Sequence, residues 1–424
     1  MKHKHVTQRI LGPLVAGGLL AALATPAGAV DFTTSDGNWT FTVSGEVNVS
    51  YIFSNCQDPK TAAPIDGLPL TCVGTASTSN VSNIGNGLLP ASIAFGVKTQ
   101  QNGIDIEAHF GLFPGIATND GGSPNLQSNG QSNTALGTTS LDIRQVYLQF
   151  GTKTAGTVLA GRNIGLFGAD AILNDMTLPG VGAPGTAAGP APSNTTLGGI
   201  GFGYIYTDWL AQIDYITPDF SGFNLTIGAF DPLNGLSDPG EAQPKQAPGF
   251  HAKASYTLPF SDKNKLYLSV AGITQKQNYL DTVTATAHSY TGSGVDVFAK
   301  LDISDLEVFG YYYHADGLGT TAFFLDSVAA DGDTRTSYGY MAQITYKIGP
   351  VKLGANYGVS KLDLANANDD PFLLSKNEKE TVGVYYSLTK NLTLIGEYSH
   401  TETASHAGGS NTANTFNIGA YVGF

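Results

Sequence analysis

From Trp39 to Phe53 the chain reads WTFTVSGEVNVSYIF, with an apolar or small residue at every odd position: Trp39, Phe41, Val43, Gly45, Val47, Val49, Tyr51 and Phe53. The even positions hold Thr40, Thr42, Ser44, Glu46, Asn48 and Ser50, and Ile52 alone breaks the pattern. A period of two predicts a strand with one apolar and one polar face. It is much longer than the roughly 5–6 residues of an ordinary strand. The alternation returns in ASIAFGVKT, GIDIEAHFGL, FHAKASYTL, GVDVFAKLDI, YGYMAQITYKI, VKLGANYGV and ETVGVYYSL, and it continues to the last residue, giving sixteen predicted strands.

The connections sort by length. Short turns are predicted at QQNG, TKTAG, PDFSG, PFSDKN, SD, GP and TKN, and between them fall long polar or Gly/Pro-rich loops near 54–87, 114–138, 164–198, 232–248, 277–291, 316–334, 363–378 and 404–412. A soluble sandwich has no reason to place all its long loops at one end. An even number of long antiparallel strands with short turns at one end and long loops at the other is the pattern of an outer-membrane barrel. In a bilayer every backbone N–H and C=O must be paired, so strands cross it only as a closed barrel. The odd face of residues 39–53 then meets lipid and the even face lines a watery lumen. In YYYH, the same parity sends Tyr312 to lipid and Tyr311 and Tyr313 to the lumen. A secreted all-β solenoid or multi-domain adhesin could also alternate, but no fixed-period repeat is found.

The first thirty residues stand apart. A basic start (Lys2, Lys4, Arg9) precedes an uncharged apolar run ending at Ala27-Gly28-Ala29, which predicts a cleaved signal peptide over 1–29 and a mature barrel domain over 30–424. A retained anchor is the alternative, disfavoured by a short apolar core broken by Pro13. The mature chain has 18 basic and 34 acidic residues, a net charge of −16. That argues against nucleic acid, which rewards clustered Lys and Arg. Beyond the signal no apolar stretch approaches the roughly 20 residues of a transmembrane helix. The two cysteines, Cys56 and Cys72, are expected to pair as a loop disulfide in an oxidising exported compartment, since C-x15-C fits no zinc spacing.

Catalytic chemistry is thin. GGIGFGY lacks the βαβ setting of a dinucleotide fingerprint, and neither His-x-x-x-His nor a G-x-S-x-G elbow occurs. No cofactor, metal or enzymatic activity is expected. A hydrolase built from a Ser, a His and an orienting group on the wall is the alternative.

Three stretches carry a family likeness. The chain ends NTFNIGAYVGF, with Phe416, Ile418, Ala420, Val422 and terminal Phe424 on one face; this resembles the C-terminal aromatic strand read by the outer-membrane assembly machinery. IRQVYLQFGTKTAGTVLAGRN, followed by IGLFGADAILNDMTLPGVGAPG, and later YITPDFSGFNLTIGAF resemble the general porins of Gram-negative outer membranes. The resemblance implies a sixteen-stranded homotrimer in lipid and lipopolysaccharide, with a third loop folded into each barrel. It places Arg144 on the wall at the constriction, Arg162 on the following strand, and Asp175, with Asp170 nearby, on the third loop. Three departures stand out: Gly180 replaces an acid after the loop proline, and Ser92 and Asp214 stand where bases are common. The structural alternatives are Arg144 paired with Asp142 or the loop backbone, and Asp170 and Asp175 capping a short helix.

The resulting expectation is an outer-membrane channel for passive diffusion of small hydrophilic solutes, mildly cation-selective. A substrate-specific channel for sugars or dicarboxylates is the alternative. The inward acids Glu46, Asp105, Glu107, Asp296, Asp302, Glu307 and Glu397 argue for cations, offset in part by Lys98, Lys253, Lys300 and Lys352, because charges at a narrow place outweigh total charge.

Overall fold

The structure, a computed structural model, describes residues 29–58, 60–71, 79–116, 141–185, 194–282 and 284–424. The expected signal segment, Cys72 with the expected Cys56–Cys72 disulfide, and most of the 114–138 loop lie outside the described residues.

Sixteen antiparallel strands close into one barrel. They are β1 (Trp39–Cys56), β2 (Asn80–Gly85 and Ser92–Gln101), β3 (Ile104–Pro114), β4 (Leu141–Thr152), β5 (Gly156–Ile164), β6 (Trp209–Ile216), β7 (Phe223–Phe230) and β8 (Gly249–Ser261). Then come β9 (Asn264–Asp281), β10 (Thr286–Ile303), β11 (Leu306–Asp316), β12 (Thr336–Ile348), β13 (Val351–Leu362), β14 (Leu374–Ser387), β15 (Leu392–Ser405) and β16 (Ser410–Gly423). Each strand pairs with the next, and β16 returns to β1 from Ala413↔Cys56 to Gly423↔Glu46, so no sheet edge is left open. The terminal residue finishes the seam: Phe424 and Gly45 exchange two backbone hydrogen bonds, each 2.9 Å.

Parity decides orientation as the alternation predicts. Val47, Val49 and Tyr51 are exposed on the outside of β1, while Asn48, Ser50 and Ile52 are buried inside. Tyr312 is exposed, and Tyr311 and Tyr313 are buried in the lumen. An exposed apolar belt that would be an aggregation hazard in water is the surface a bilayer covers. Tight turns follow their residues: Asn102 and Gly103 between β2 and β3 have φ of 51° and 81°, the doubly positive pair a two-residue hairpin turn needs.

Two of the expected long loops are hairpin tips instead. β9 and β10 stay paired out to Asp281↔Thr286, leaving few unpaired residues in 277–291. β15 and β16 pair to Ala404↔Ser410, closing 404–412 in the same way. Both tips are rich in polar residues and so resemble loops in sequence, although Gln277, Tyr279 and Tyr290 of one and Thr403, Ser405 and Asn411 of the other are buried on the inner face.

The barrel is filled. The third loop runs to residue 208, ten residues past the expected end, and carries one short helix, α1 (Ala169–Asn174). Phe167, Ala171, Leu173, Phe202, Tyr204 and Ile205 of this loop pack against Phe298, Phe309, Tyr311 and Tyr313 of the wall. Its Gly/Pro-rich stretch holds few bulky groups, but the aromatic stretch after it supplies an apolar core inside the lumen. The loop between β11 and β12 also turns inward, burying Leu318, Phe323 and Phe324.

Candidate functional site: the third loop and the wall that holds it

The third loop spans the lumen because wall side chains take up its backbone. Glu397 on β15 accepts the N–H groups of Val181 (2.8 Å) and Gly182 (3.0 Å), and also Tyr385 Oη–H (2.6 Å) and Asn417 Nδ2–H (2.9 Å). Asp296 on β10 accepts the Gly168 N–H at 2.6 Å and Tyr311 Oη–H at 3.2 Å. Gln343 on β12 accepts from Met176 N–H at 2.7 Å and donates to the Asn174 carbonyl at 2.8 Å. Asn48 on β1 donates to the Pro179 carbonyl at 2.7 Å. A loop backbone buried in a barrel must find such partners, since each unmet amide costs about 1–3 kcal/mol.

Gly180 follows from this arrangement. A Cβ there would lie 1.9 Å from Glu397 Oε1, so a side chain at 180 would have to displace the carboxylate that holds the loop. Glu397 reaches the loop from the wall at this point.

The two loop aspartates each face a different wall. Asp170 meets Lys253 Nζ (3.1 Å), Tyr267 Oη (3.1 Å) and Ser269 Oγ (2.5 Å) on β8 and β9. Asp175 accepts from Thr177 N (2.9 Å) and Oγ1 (2.8 Å), Tyr204 Oη (3.0 Å) and Asn356 Nδ2 (3.2 Å) on β13. Neither caps the start of α1, whose N-cap is Gly168 with no side-chain cap; Asp175 is its C-cap residue.

Arg144 sits elsewhere. Its Nε binds Asp142 at 3.0 Å, its Nη2 binds Asn194 of the third loop at 3.3 Å, and its guanidinium lies 5.1 Å from the Phe113 ring centre and 5.9 Å from that of Trp209. Buried and paired, it ties the far limb of the loop to β4. Arg162 on β5 is half-buried, with Nε buried and unbonded. Asp214 on β6 binds His251 Nε2 on β8 at 2.9 Å, a pair that does not touch the loop aspartates. Ser92 donates to Glu46 at 2.5 Å. The five expected residues thus stand around the lumen rather than in one cluster. The anchors Glu397 and Asp296 were visible as inward acids by parity, but their loop partners were not.

The fit at β13 is tight. A Cβ at Gly358 would fall 1.9 Å from the Phe202 carbonyl oxygen. Gly358→Val is therefore expected to push residues 202–204 off the wall and change single-channel conductance while the barrel stays heat-modifiable on gels; an unchanged conductance would mean this limb does not rest there.

A closed sixteen-stranded barrel with an apolar exterior and an inward loop is an outer-membrane channel. The chain belongs to the Gram-negative porin family, whose family model matches residues 16–406. Solved structures share the fold. The outer-membrane channel DcaP of Acinetobacter baumannii is 16% identical, over 93% of this chain and 99% of that one, with a TM-score of 0.68. Salmonella typhi OmpF, in complex with daunomycin, is 13% identical over 93% and 100%, with a TM-score of 0.55. The trimer form of Vibrio cholerae OmpT is 15% identical over 91% and 100%, with a TM-score of 0.54. No curated protein matches the chain in sequence.

Proposed function

We propose that this porin passes small hydrophilic solutes and ions by passive diffusion, with a modest preference for cations, as a homotrimer. The supporting observation is the pairing of charges around the third loop. Lys253 is matched by Asp170, Lys98 by Glu107, and Lys300 by Asp302 and Glu307. Asp175, Asp296 and Glu397 take their hydrogen bonds instead from amides, hydroxyls and carboxamides, and Lys379 near Asp175 and Glu397 and Lys253 near Asp296 offset only part of their charge. Acidic groups at a constriction favour cations. The trimer rests on the trimer form of the OmpT neighbour. Cleavage after residue 29 and a role for Phe424 in assembly belong to the same reading, and Phe424's place at the closing seam agrees with the second.

In a KCl gradient the zero-current potential is expected to report K⁺ over Cl⁻. The preference should weaken as the Debye length falls from about 10 Å at 0.1 M to about 3 Å at 1 M salt. Asp175→Asn with Asp214→Asn should shrink it, and an anion-selective parent would overturn the reading. A substrate-specific channel is the second reading, favoured by how closely the third loop fills the lumen. Flux that saturates for one solute class would support it over free diffusion.

A further inference from the structure

Connecting loops run over the surface of a protein, because a buried one must find a partner for each backbone amide and carbonyl. The loop between β11 and β12 does the opposite. From Gly317 to Ala329 every residue is buried except Leu325, which is half-buried. The wall makes room for it: Gly292 and Gly294 lie on the inner face of β10, and a Cβ there would fall 2.5 Å from Phe324 Cε1 and 2.9 Å from Leu318 Cδ1, respectively. On its inner side the Phe323 ring stands 6.0 Å from that of Phe167 in the third loop. Tyr206 of the third loop donates its N–H to the Thr321 carbonyl at 2.9 Å. Residues 317–329 thus lie against the third loop as a second layer in the same lumen.

The other loops of that end bear on this layer. Leu236 N–H, from the loop before β8, donates to the Phe324 carbonyl at 3.0 Å, and Asp326 N–H donates to Ser237 Oγ at 2.6 Å. Leu68 N–H of the first loop donates to Asp326 Oδ2 at 2.7 Å. Ser337 Oγ of β12 donates to the Gly319 carbonyl at 2.7 Å, and Arg335, which also holds Asp369, donates to the Asp326 carbonyl. Two residues have left-handed backbone, Phe324 with φ of 63° and Asp326 with φ of 56°. A bulky residue keeps that conformation only where its surroundings over-determine it. The seat inside the barrel fixes this loop. From Gly317 to Leu325 it carries no charged side chain, so what it offers a solute is an obstacle of fixed size.

We propose that residues 317–329 form a second constriction, on the extracellular side of the third loop, that sets the largest solute able to enter from outside. This rests on the barrel being a channel and adds a size filter to it. Passage through a pore is limited by its width and by the charges lining it. Here the two are divided: the acids around the third loop carry the ion preference, and the uncharged layer carries the size limit.

The test uses the full-length, heat-modifiable protein in planar bilayers, with neutral polyethylene glycols of graded size added to one side at a time. In the parent, polymers should be excluded at a smaller size from one side than from the other. One variant replaces Thr320–Phe324 by Gly-Gly, a short link that suffices because Gly319 and Leu325 are already bridge partners. It should raise single-channel conductance and shift the smaller limit upward, leaving the other limit and the zero-current potential in a KCl gradient as in the parent. Phe323→Ala with Phe324→Ala keeps the loop backbone and should shift the same limit in the same direction by less. Limits unmoved in both variants, or a changed ion preference at an unchanged size limit, would overturn the proposal. A parent that passes no current would overturn the channel reading and this inference with it, whereas a conducting parent whose variants keep its limits overturns the inference alone.

Discussion

Replacing Glu397 and Asp296 together by alanine is expected to release the third loop from the barrel wall, raising single-channel conductance and the size limit for neutral sugars. Glu397 holds the Val181 and Gly182 amides, and Asp296 holds the Gly168 amide just before α1. Without those carboxylates three loop amides lose their acceptors, each at about 1–3 kcal/mol if it stays dry. Moving out to water avoids that cost. Glu397→Gln keeps an acceptor and should restore part of the parent behaviour, which separates loss of an anchor from loss of a charge. Conductance that does not change in the double alanine variant would show that the apolar packing of Phe167, Phe202 and Tyr204 holds the loop by itself.

Arg335→Ala is expected to loosen the extracellular mouth. This arginine lies at the end of the inward loop before β12, and its Nε and Nη2 donate to Asp369 of the next long loop at 2.8 and 2.7 Å, a two-point contact. Its Nη1 also binds the Asp326 carbonyl at 3.3 Å. Two-point guanidinium–carboxylate contacts are among the strongest polar ones. Hydrogen bonding by Arg335 holds the Asp369 carboxyl well below the usual carboxylate range. A group whose folded pKa is depressed contributes stability that is present above its unfolded value and lost only as pH falls through the folded one. The latch should therefore survive mildly acidic conditions and fail only well below about pH 4, the ordinary aspartate value. Limited proteolysis of intact proteoliposomes should cut Arg335→Ala between residues 317 and 373 much faster than the parent at pH 7. Equal cutting rates would mean the latch does not hold the mouth.

How much of this was legible in the sequence depends on the kind of interaction. Strand parity placed Tyr311, Tyr312 and Tyr313 correctly, because the face of a strand residue is set by its immediate neighbours. It also put Glu397, Asp296 and Lys253 in the lumen. It could not say what they touch there. For Arg144 the sequence leaves open a pore charge or a partner of Asp142, since the Asn194 that also holds it is 50 residues away. The hairpin tips at 277–291 and 404–412 read as loops in sequence because their inner faces are polar too, and only the fold shows Gln277, Ser405 and Asn411 buried there.

By itself the sequence determined the period-two alternation, the sorting of loops by length and the aromatic last strand. From those follow a closed barrel, its lipid face and the end that carries the loops, because each depends on residues adjacent in the chain. Only the tertiary structure decided what fills the barrel. The bond from Val181 to Glu397 spans 216 residues, and that from Leu70 to Asn377 spans 307. No local pattern encodes such pairings: curvature and closure bring opposite walls within hydrogen-bond reach of one loop, and the loop then settles where its buried amides find acceptors.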